Sequence, residues 1–300
     1  AAPLIKKLII ALSSKDFPVS GFEYMFIPEY VEKNGQDNLN LSLDTLKHIT
    51  QFVSCEFAIR PFIVKNEVET MKFMLKCSTD QHENVRRFSS EGCRARLPWA
   101  MALPRFKQDA SLILPILEKL KADESLFVRK SVANNLNDIS KDHPELALKI
   151  AIQWFGKHQH TNWIVKHGMR TLLKAGHPTT MKLFGYADIT QLKVDNYKLL
   201  TSEVKFGQKA HFQFTISNTV QKTVKVRLEY AVYFMKNNGV QSKKVFKISE
   251  RELEGMQQLS IEKYHHLKPI NTRKYYSGEH GISVIINGVE FEKHSFLLNM

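Results

Sequence analysis

The sequence predicts an α + β chain of two domains, an all-α helical solenoid over residues 1–187 followed by an all-β sandwich over 188–300. Three observations predict it. Apolar residues recur with a 3.6-residue period in the first part, as at Leu46, Ile49 and Val53 and again at Val128, Val132, Leu136 and Ile139. After Asp188 the pattern turns to alternation: Phe212, Phe214, Ile216, then Val224, Val226, Leu228, Tyr230, then Ile282, Val284, Ile286. Within the helical part, Val85-Arg86-Arg87 returns forty-three positions later as Val128-Arg129-Lys130, and repeats of about 40 to 47 residues are those of HEAT-type solenoids.

Taken in order, Leu4, Leu8, Ile9 and Leu12 predict an opening helix. A connection punctuated by Pro18, Gly21, Pro28 and Gly35 follows, packed down by Phe17, Phe22, Tyr24 and Phe26. Ser42 is expected to cap the next helix, with Pro61 limiting its continuation. Further helices are expected at about 61–77, 82–92, 109–121, 125–140, 144–157 and 161–174, with Asp80 and Asp123 as caps repeated once per unit. Ala175 to Thr180 stops the helical part. Roughly seven strands follow, with hairpin turns at Asn238-Gly239 and Asn287-Gly288, and read as an antiparallel immunoglobulin-like sandwich without cysteine.

The net charge of +13, carried by both halves of the chain, favours a polyanionic partner, because each phosphate neutralised releases counterions. Cys55, Cys77 and Cys93 are an odd number with no C-x-x-C, which fits free thiols and a cytosolic address. The apolar run Leu8 to Leu12 is far too short to span a bilayer and no cleavage pattern follows it, so neither a membrane span nor a signal peptide is expected. The chain opens on Ala1 already in helical pattern, from which an upstream segment is expected.

Patterns for phosphate-cradling loops, dinucleotide binding and zinc hydrolysis are missing. The close histidine pairs, His158 with His160 and His265 with His266, lack supporting ligands, so no metal and no cofactor are expected. What remains is a concentration of Arg86, Arg87, Arg94 and Arg96 next to Trp99, a second basic helix with Arg129 and Lys130, and acids among them. Lys130, Asn134 and Asp138 stack at i, i+4, i+8, which would point Asp138 into a basic groove. Glu56 falls near an expected helix C-terminus, a poor place for a carboxylate, which flags it as functional unless it pairs with Arg60 four residues on.

Carboxylates on a phosphate-binding surface weaken binding by repulsion, so their presence suggests stabilisation of positive charge that develops during a reaction. Loss of a base from a nucleotide makes the sugar oxocarbenium-like, and a base already cationic through N-alkylation leaves neutral without a general acid. Glu56, Asp138 and Trp99 are the right residue types for that chemistry. Glu83 and Glu91, each four residues from Arg87, read as its ion-pair partners; Trp154 reads as core, and Trp163 as packing or DNA contact.

Ser54-Cys55-Glu56-Phe57-Ala58-Ile59-Arg60-Pro61-Phe62, the stretch from Val85-Arg86-Arg87 through Ser90-Glu91-Gly92 to Arg96-Leu97-Pro98-Trp99, and Val128 through Asn134-Asn135-Leu136-Asn137-Asp138-Ile139 resemble HEAT-like-repeat alkylpurine DNA glycosylases, the AlkC branch beside its relative AlkD. The resemblance covers about residues 40 to 185, and the β tail is similar to the immunoglobulin-like module of one AlkC subgroup. It implies excision of cationic N-alkylated bases of the 3-methyladenine and 3-methylcytosine type from duplex DNA, without base flipping. It also implies Glu56 and Asp138 as catalytic carboxylates, Trp99 as the active-site aromatic, and Arg87 and Arg94 as DNA contacts. Arg86, Arg96, Arg129 and Lys130 extend that DNA surface by charge and spacing. Family members often read Thr-Arg-Pro-Arg where this chain has Cys93-Arg94-Ala95-Arg96, a change that would loosen the loop. The partner expected is double-stranded DNA carrying alkylated bases, bound by a monomer, with the basic sandwich as an accessory clamp. The alternative is a non-catalytic HEAT-repeat scaffold that binds DNA or protein.

Overall fold

A computed structural model of the chain describes Pro3, Leu4, Lys7, Ile10, Ala11 and residues 22–300. The expected helical positions Leu8, Ile9 and Leu12, together with Phe17, Pro18 and Gly21, lie outside the described residues. Two compact units are present, Ala1–Thr171 and Leu172–Met300, the first helical and the second built on β-sheets.

In the first unit, α1 (Phe26–Asn34) packs on α2 (Leu39–Ile49). Asn38, not Ser42, caps α2 by accepting the Leu41 N–H; Ser42 lies one turn inside the helix, where its hydroxyl donates to the Gly35 carbonyl at 2.8 Å. The helix ends at Ile49, well before Pro61, and a run of turns carries the chain to α3 (Arg60–Lys65), where Pro61 occupies the first turn. There its missing N–H costs nothing. Glu56 therefore precedes a helix rather than ending one, and the expected clash with a helix C-terminus does not arise. Asn66 breaks the single helix expected over 61–77: at φ −137° and ψ 62° it leaves helical space, ending α3 and starting α4 (Glu67–Cys77).

The next helices are α5 (Glu83–Glu91), α6 (Pro104–Gln108), α7 (Leu114–Leu120), α8 (Leu126–Asp142), α9 (Pro144–Trp154) and α10 (Gln159–Gly168). The residue that caps α5 is His82, which accepts the Asn84 N–H. Asp80 and Asp123 act one step earlier, each accepting the N–H two residues on, of His82 and Ser125 respectively, at 2.9 Å. The repeat is thus real at the level of an Asx turn. The long helix α8 packs against α5, α9 and α10 and carries the centre of the unit, with Val128, Val132, Leu136 and Ile139 buried. α10 comes close because Gly168 faces Leu136; a Cβ there would stand 2.8 Å from its methyl carbon. The helix expected over 161–174 stops at Gly168 and resumes as α11 (Arg170–Lys174).

The second unit contains α12 (Pro178–Leu183) and eight strands, one more than expected: β1 (Leu192–Leu199), β2 (Glu203–Lys205), β3 (Lys209–Asn218), β4 (Val224–Met235), β5 (Gln241–Leu253), β6 (Gln258–His266), β7 (Gly278–Ile286) and β8 (Val289–Asn299). They form a three-stranded sheet, β1-β3-β6, and a five-stranded sheet, β2-β8-β7-β4-β5. All pairs are antiparallel except β2 with β8, which is parallel. Phe212, Phe214 and Ile216 of one sheet meet Val226, Leu228, Val232, Ile282 and Val284 of the other in the core. At the β7–β8 turn Asn287 and Gly288 have φ of 47° and 83°, the two positive values a tight hairpin needs. Gly288 is doubly constrained, since a Cβ there would stand 2.3 Å from the Gly176 Cα. Residues 172–187 are stitched to the sandwich by Asn287 Nδ2 donating to Ala187 O at 2.8 Å and by Ala187 N donating to Lys225 O at 2.9 Å.

Candidate active site

The first unit brings a set of charges, buried at its middle and half-buried or exposed at its ends, into one alternating chain. Glu56, in the turn before α3, accepts from Arg87 of α5 at 3.3 Å. Arg87 lies 3.8 Å from Glu91, one turn further along α5. Glu91 Oε1 in turn accepts from Arg94 Nη1 at 2.7 Å, and Arg94 Nε donates to Asp138 Oδ2 of α8 at 2.9 Å. Lys141 closes the series at 3.3 Å from Asp138 Oδ1. Both arginines are bracketed by carboxylates, and both carboxylates singled out from sequence are in the chain. Glu91 is in it too, pairing more closely with Arg94 than with Arg87; Glu83 instead receives the Ser125 hydroxyl.

Burial makes these contacts count, because ion pairs withdrawn from water are little screened. Asp138 is only 1% exposed and lies beneath Arg94 and Lys141, rather than projecting freely into a groove. Burial works against the Arg94 cation, but the nearby Glu91 and Asp138 outweigh it and hold the guanidinium more firmly protonated than usual. Glu56 differs in one respect. One of its oxygens takes Arg87, while Oε2 is buried with no hydrogen-bond partner. Buried acceptors left unmatched cost about 1–3 kcal/mol, so this oxygen is poised to accept a donor.

Arg87 also donates to Ser54 Oγ at 3.1 Å, and its guanidinium stacks 4.4 Å above the ring of Phe127 at the start of α8. Phe127 is 44% exposed and was not singled out by sequence reasoning. Its signal was an aromatic one residue ahead of Val128-Arg129-Lys130, where the earlier repeat has Asn84.

Trp99 stands on the loop between α5 and α6, 96% exposed and with a φ of 64° that L-residues rarely adopt. Arg96 of the same loop is paired with Asp142, and that contact, above the cost of burial, keeps the Asp142 carboxyl below its usual range. Arg60 does not pair with Glu56: it is fully buried and donates to the carbonyls of Gly92, Arg94 and Met101.

The remaining predicted cations separate into two groups. Lys130 is exposed. Arg86 and Arg129, placed on the DNA surface by charge and spacing, are occupied inside the fold. Arg86 grips Asp123 through two nitrogens, at 2.6 and 3.1 Å, and donates to Asp80 O and Gln81 O. Arg129 repeats the second half of this device on Asp123 O and Glu124 O. Trp154 is core, its indole N–H donating to Glu118 at 2.8 Å, and Trp163 stacks on His167 at 5.0 Å between ring centres. Among the described residues no group of three or more His, Cys, Asp or Glu side chains could hold a metal ion, and no helix is long and apolar enough to cross a membrane.

Comparison with known proteins assigns both parts. Residues 40–172 match the family described as "DNA alkylation repair enzyme", and residues 193–300 match "Uncharacterised protein YhaZ, C-terminal Ig-like domain". YhaZ of Bacillus subtilis (strain 168) is 44% identical over 268 residues, covering 89% of this chain and 74% of YhaZ. The chain belongs to the DNA alkylation repair enzyme family. Within that family it is similar, at 37% identity and a TM-score of 0.93, to the Pseudomonas fluorescens alkylpurine DNA glycosylase AlkC, solved bound to DNA containing an abasic site analog. That likeness covers 99% of this chain and 82% of the AlkC chain. The helical part followed by an Ig-like part, which the periodicities predict, is the architecture of this AlkC-like branch of DNA alkylation repair enzymes.

Proposed function

We propose that this chain is a monofunctional DNA glycosylase that hydrolyses the N-glycosidic bond of cationic N-alkylated bases, of the 3-methyladenine and 3-methylcytosine type, in duplex DNA. The observation that carries the reading is the chain of charges from the half-buried Glu56 to the buried Asp138, with the Glu56 Oε2 atom itself buried and unmatched. A scaffold that only binds phosphates gains nothing from burying carboxylates at the centre of a basic unit. In the reaction the C1′–N bond breaks with its electron pair passing to the base, which departs neutral, and positive charge moves to the sugar. Asp138 and Glu56 stabilise that charge, worth most in a site withdrawn from water. Water then adds to C1′ and gives its proton to Glu56 Oε2. Trp99 supplies an aromatic face to the cationic nucleotide, an attraction of about 0.5–2 kcal/mol.

In this reading Lys130, Arg96 and Lys141 hold the flanking phosphates, while Arg87 and Arg94, expected from the sequence as DNA contacts but more buried than Arg86, hold the carboxylates in place. Arg86 and Arg129 likewise act on the protein. The basic Ig-like unit serves as an accessory clamp on the duplex, and the protein works as a cytosolic monomer in base excision repair. In this reading the alkylated base is excised without being flipped out of the duplex. The test is single-turnover release of 3-methyladenine and 3-methylcytosine from alkylated duplex. The parent should release base, while Glu56→Gln and Asp138→Asn should lose at least 100-fold in rate with duplex affinity kept or raised. Tight binding of duplex with no release by the parent would replace the glycosylase with a scaffold.

A further inference from the structure

Among the described residues Arg60 is the largest fully buried side chain, and no carboxylate is recorded within ion-pair distance of it there. Its guanidinium is satisfied by main-chain carbonyls: Nη1 donates to Gly92 O and to Arg94 O, both at 2.9 Å, and Nε donates to Met101 O at 2.6 Å. Nη2 is buried without a partner. Burial lowers its pKa to about 10, while Asp138 and Glu91 favour the charged form against Arg94. Solvating a cation with carbonyls alone, deep in a unit, is costly, and the three hydrogen bonds offset only part of that cost.

Those three carbonyls are not scattered. Gly92 and Arg94 are where the chain enters the Trp99 loop, and Met101 is where it leaves. Arg60 stands one turn after Glu56, in a turn closed by Ile59 N donating to Cys55 O and Arg60 N donating to Phe57 O. One side chain therefore ties both ends of the Trp99 loop to the turn that carries Glu56. Besides Arg60, the described backbone contact across the loop is Leu103 N to Ala95 O, a long 3.4 Å. Ala95 itself leaves φ free, so rigidity has to come from elsewhere.

We propose that Arg60 is a positioning residue for excision: it holds the Trp99 loop in register with Glu56 and Asp138, and it acts through them without touching DNA. This rests on the glycosylase reading for its effect on rate, and on geometry alone for its effect on the loop. The experiment uses Arg60→Met and Arg60→Lys in the full chain, with two readouts. Hydrogen exchange of the segment 93–103 should speed up at least tenfold in both variants, with α8 and α10 unchanged. Single-turnover release of 3-methyladenine should fall at least 30-fold while affinity for undamaged duplex stays within about threefold. Arg60→Lys should recover no more than a small part of the rate, because one ammonium cannot span carbonyls at both ends of the loop. Unchanged exchange in 93–103, or release at the parent rate, would overturn the proposal. A parent that releases no base would overturn the glycosylase reading instead, and the exchange readout would still decide whether Arg60 straps the loop. If Arg60→Met does not fold, Arg60→Lys, which keeps a cation and a donor, gives both readouts.

Discussion

Trp99 shows how far a single residue can depart from what folding rewards. An indole left 96% in water contributes no burial, and holding a non-glycine residue at φ 64° costs about 1–3 kcal/mol. Folding gains nothing at this position, so the reason for it lies in what the ring meets. Trp99→Gly should therefore keep or raise thermal stability, because glycine adopts positive φ without strain, while single-turnover excision falls at least tenfold. A loss of stability on that substitution, measured by thermal unfolding, would mean that the ring packs in the fold after all. Glu56 makes the same point in polar form, with one oxygen paired and the other left buried and unmatched.

The helices α5 and α8 are two copies of one device. In each, an aspartate closes an Asx turn ahead of the helix, and an arginine in the first turns reaches back to the carbonyls that the turn exposes. Arg86 adds a two-nitrogen bridge to Asp123, whose side chain is only 6% exposed, and so links one repeat to the next. Arg86→Ala should cost about 2–3 kcal/mol in urea unfolding, since it strands a nearly buried carboxylate and frees two carbonyls. Lys130→Ala, on the exposed side of α8, should change stability by less than about 0.5 kcal/mol and weaken duplex binding more at low salt than at high. Equal stability losses in the two variants would remove the distinction drawn between internal and DNA-facing cations.

At the scale of the whole molecule, the two units answer to different conditions. The helical unit keeps its site together with ion pairs, whereas the Ig-like unit buries His265 in its core, where it shares a 3.0 Å hydrogen bond with the Tyr230 hydroxyl. Burial, helped by Arg273, His266 and Lys244, pushes the His265 pKa down to about 4. The folded imidazole stays neutral until the pH nears that value, while the unfolded one takes up a proton below about 6.5. Stability from this residue is complete above pH 6.5 and is lost as the pH falls towards 4, by an amount on the order of 3 kcal/mol. Denaturant unfolding of the Ig-like unit at pH 7 and pH 4.5 should show that loss, and His265→Gln should flatten it. A pH response as steep in the variant as in the parent would assign the effect to other groups.

Much of this was legible in the residues. Period 3.6 before Asp188 and period 2 after it reflect where each side chain must point in a helix or a strand, a local property, and so fix the order of classes. The Asn287-Gly288 turn was legible for the same reason, because positive φ is a matter of the residues themselves. Spacing likewise revealed the repeat of Val85-Arg86-Arg87 in Val128-Arg129-Lys130. Partnership was legible only where it is local, as for Glu91 one turn beyond Arg87. Glu56 could have met Arg60, four residues away, but a turn rather than a helix separates them, so Glu56 meets Arg87 and Arg60 turns inward to three carbonyls. Arg86 and Arg87 are neighbours in sequence, yet successive helical residues face different ways, which sends one to Asp123 and the other to Glu56. The sequence by itself determined which elements form and which charged groups are at hand; packing alone decided which charges are buried together, because that depends on contacts between residues dozens of positions apart.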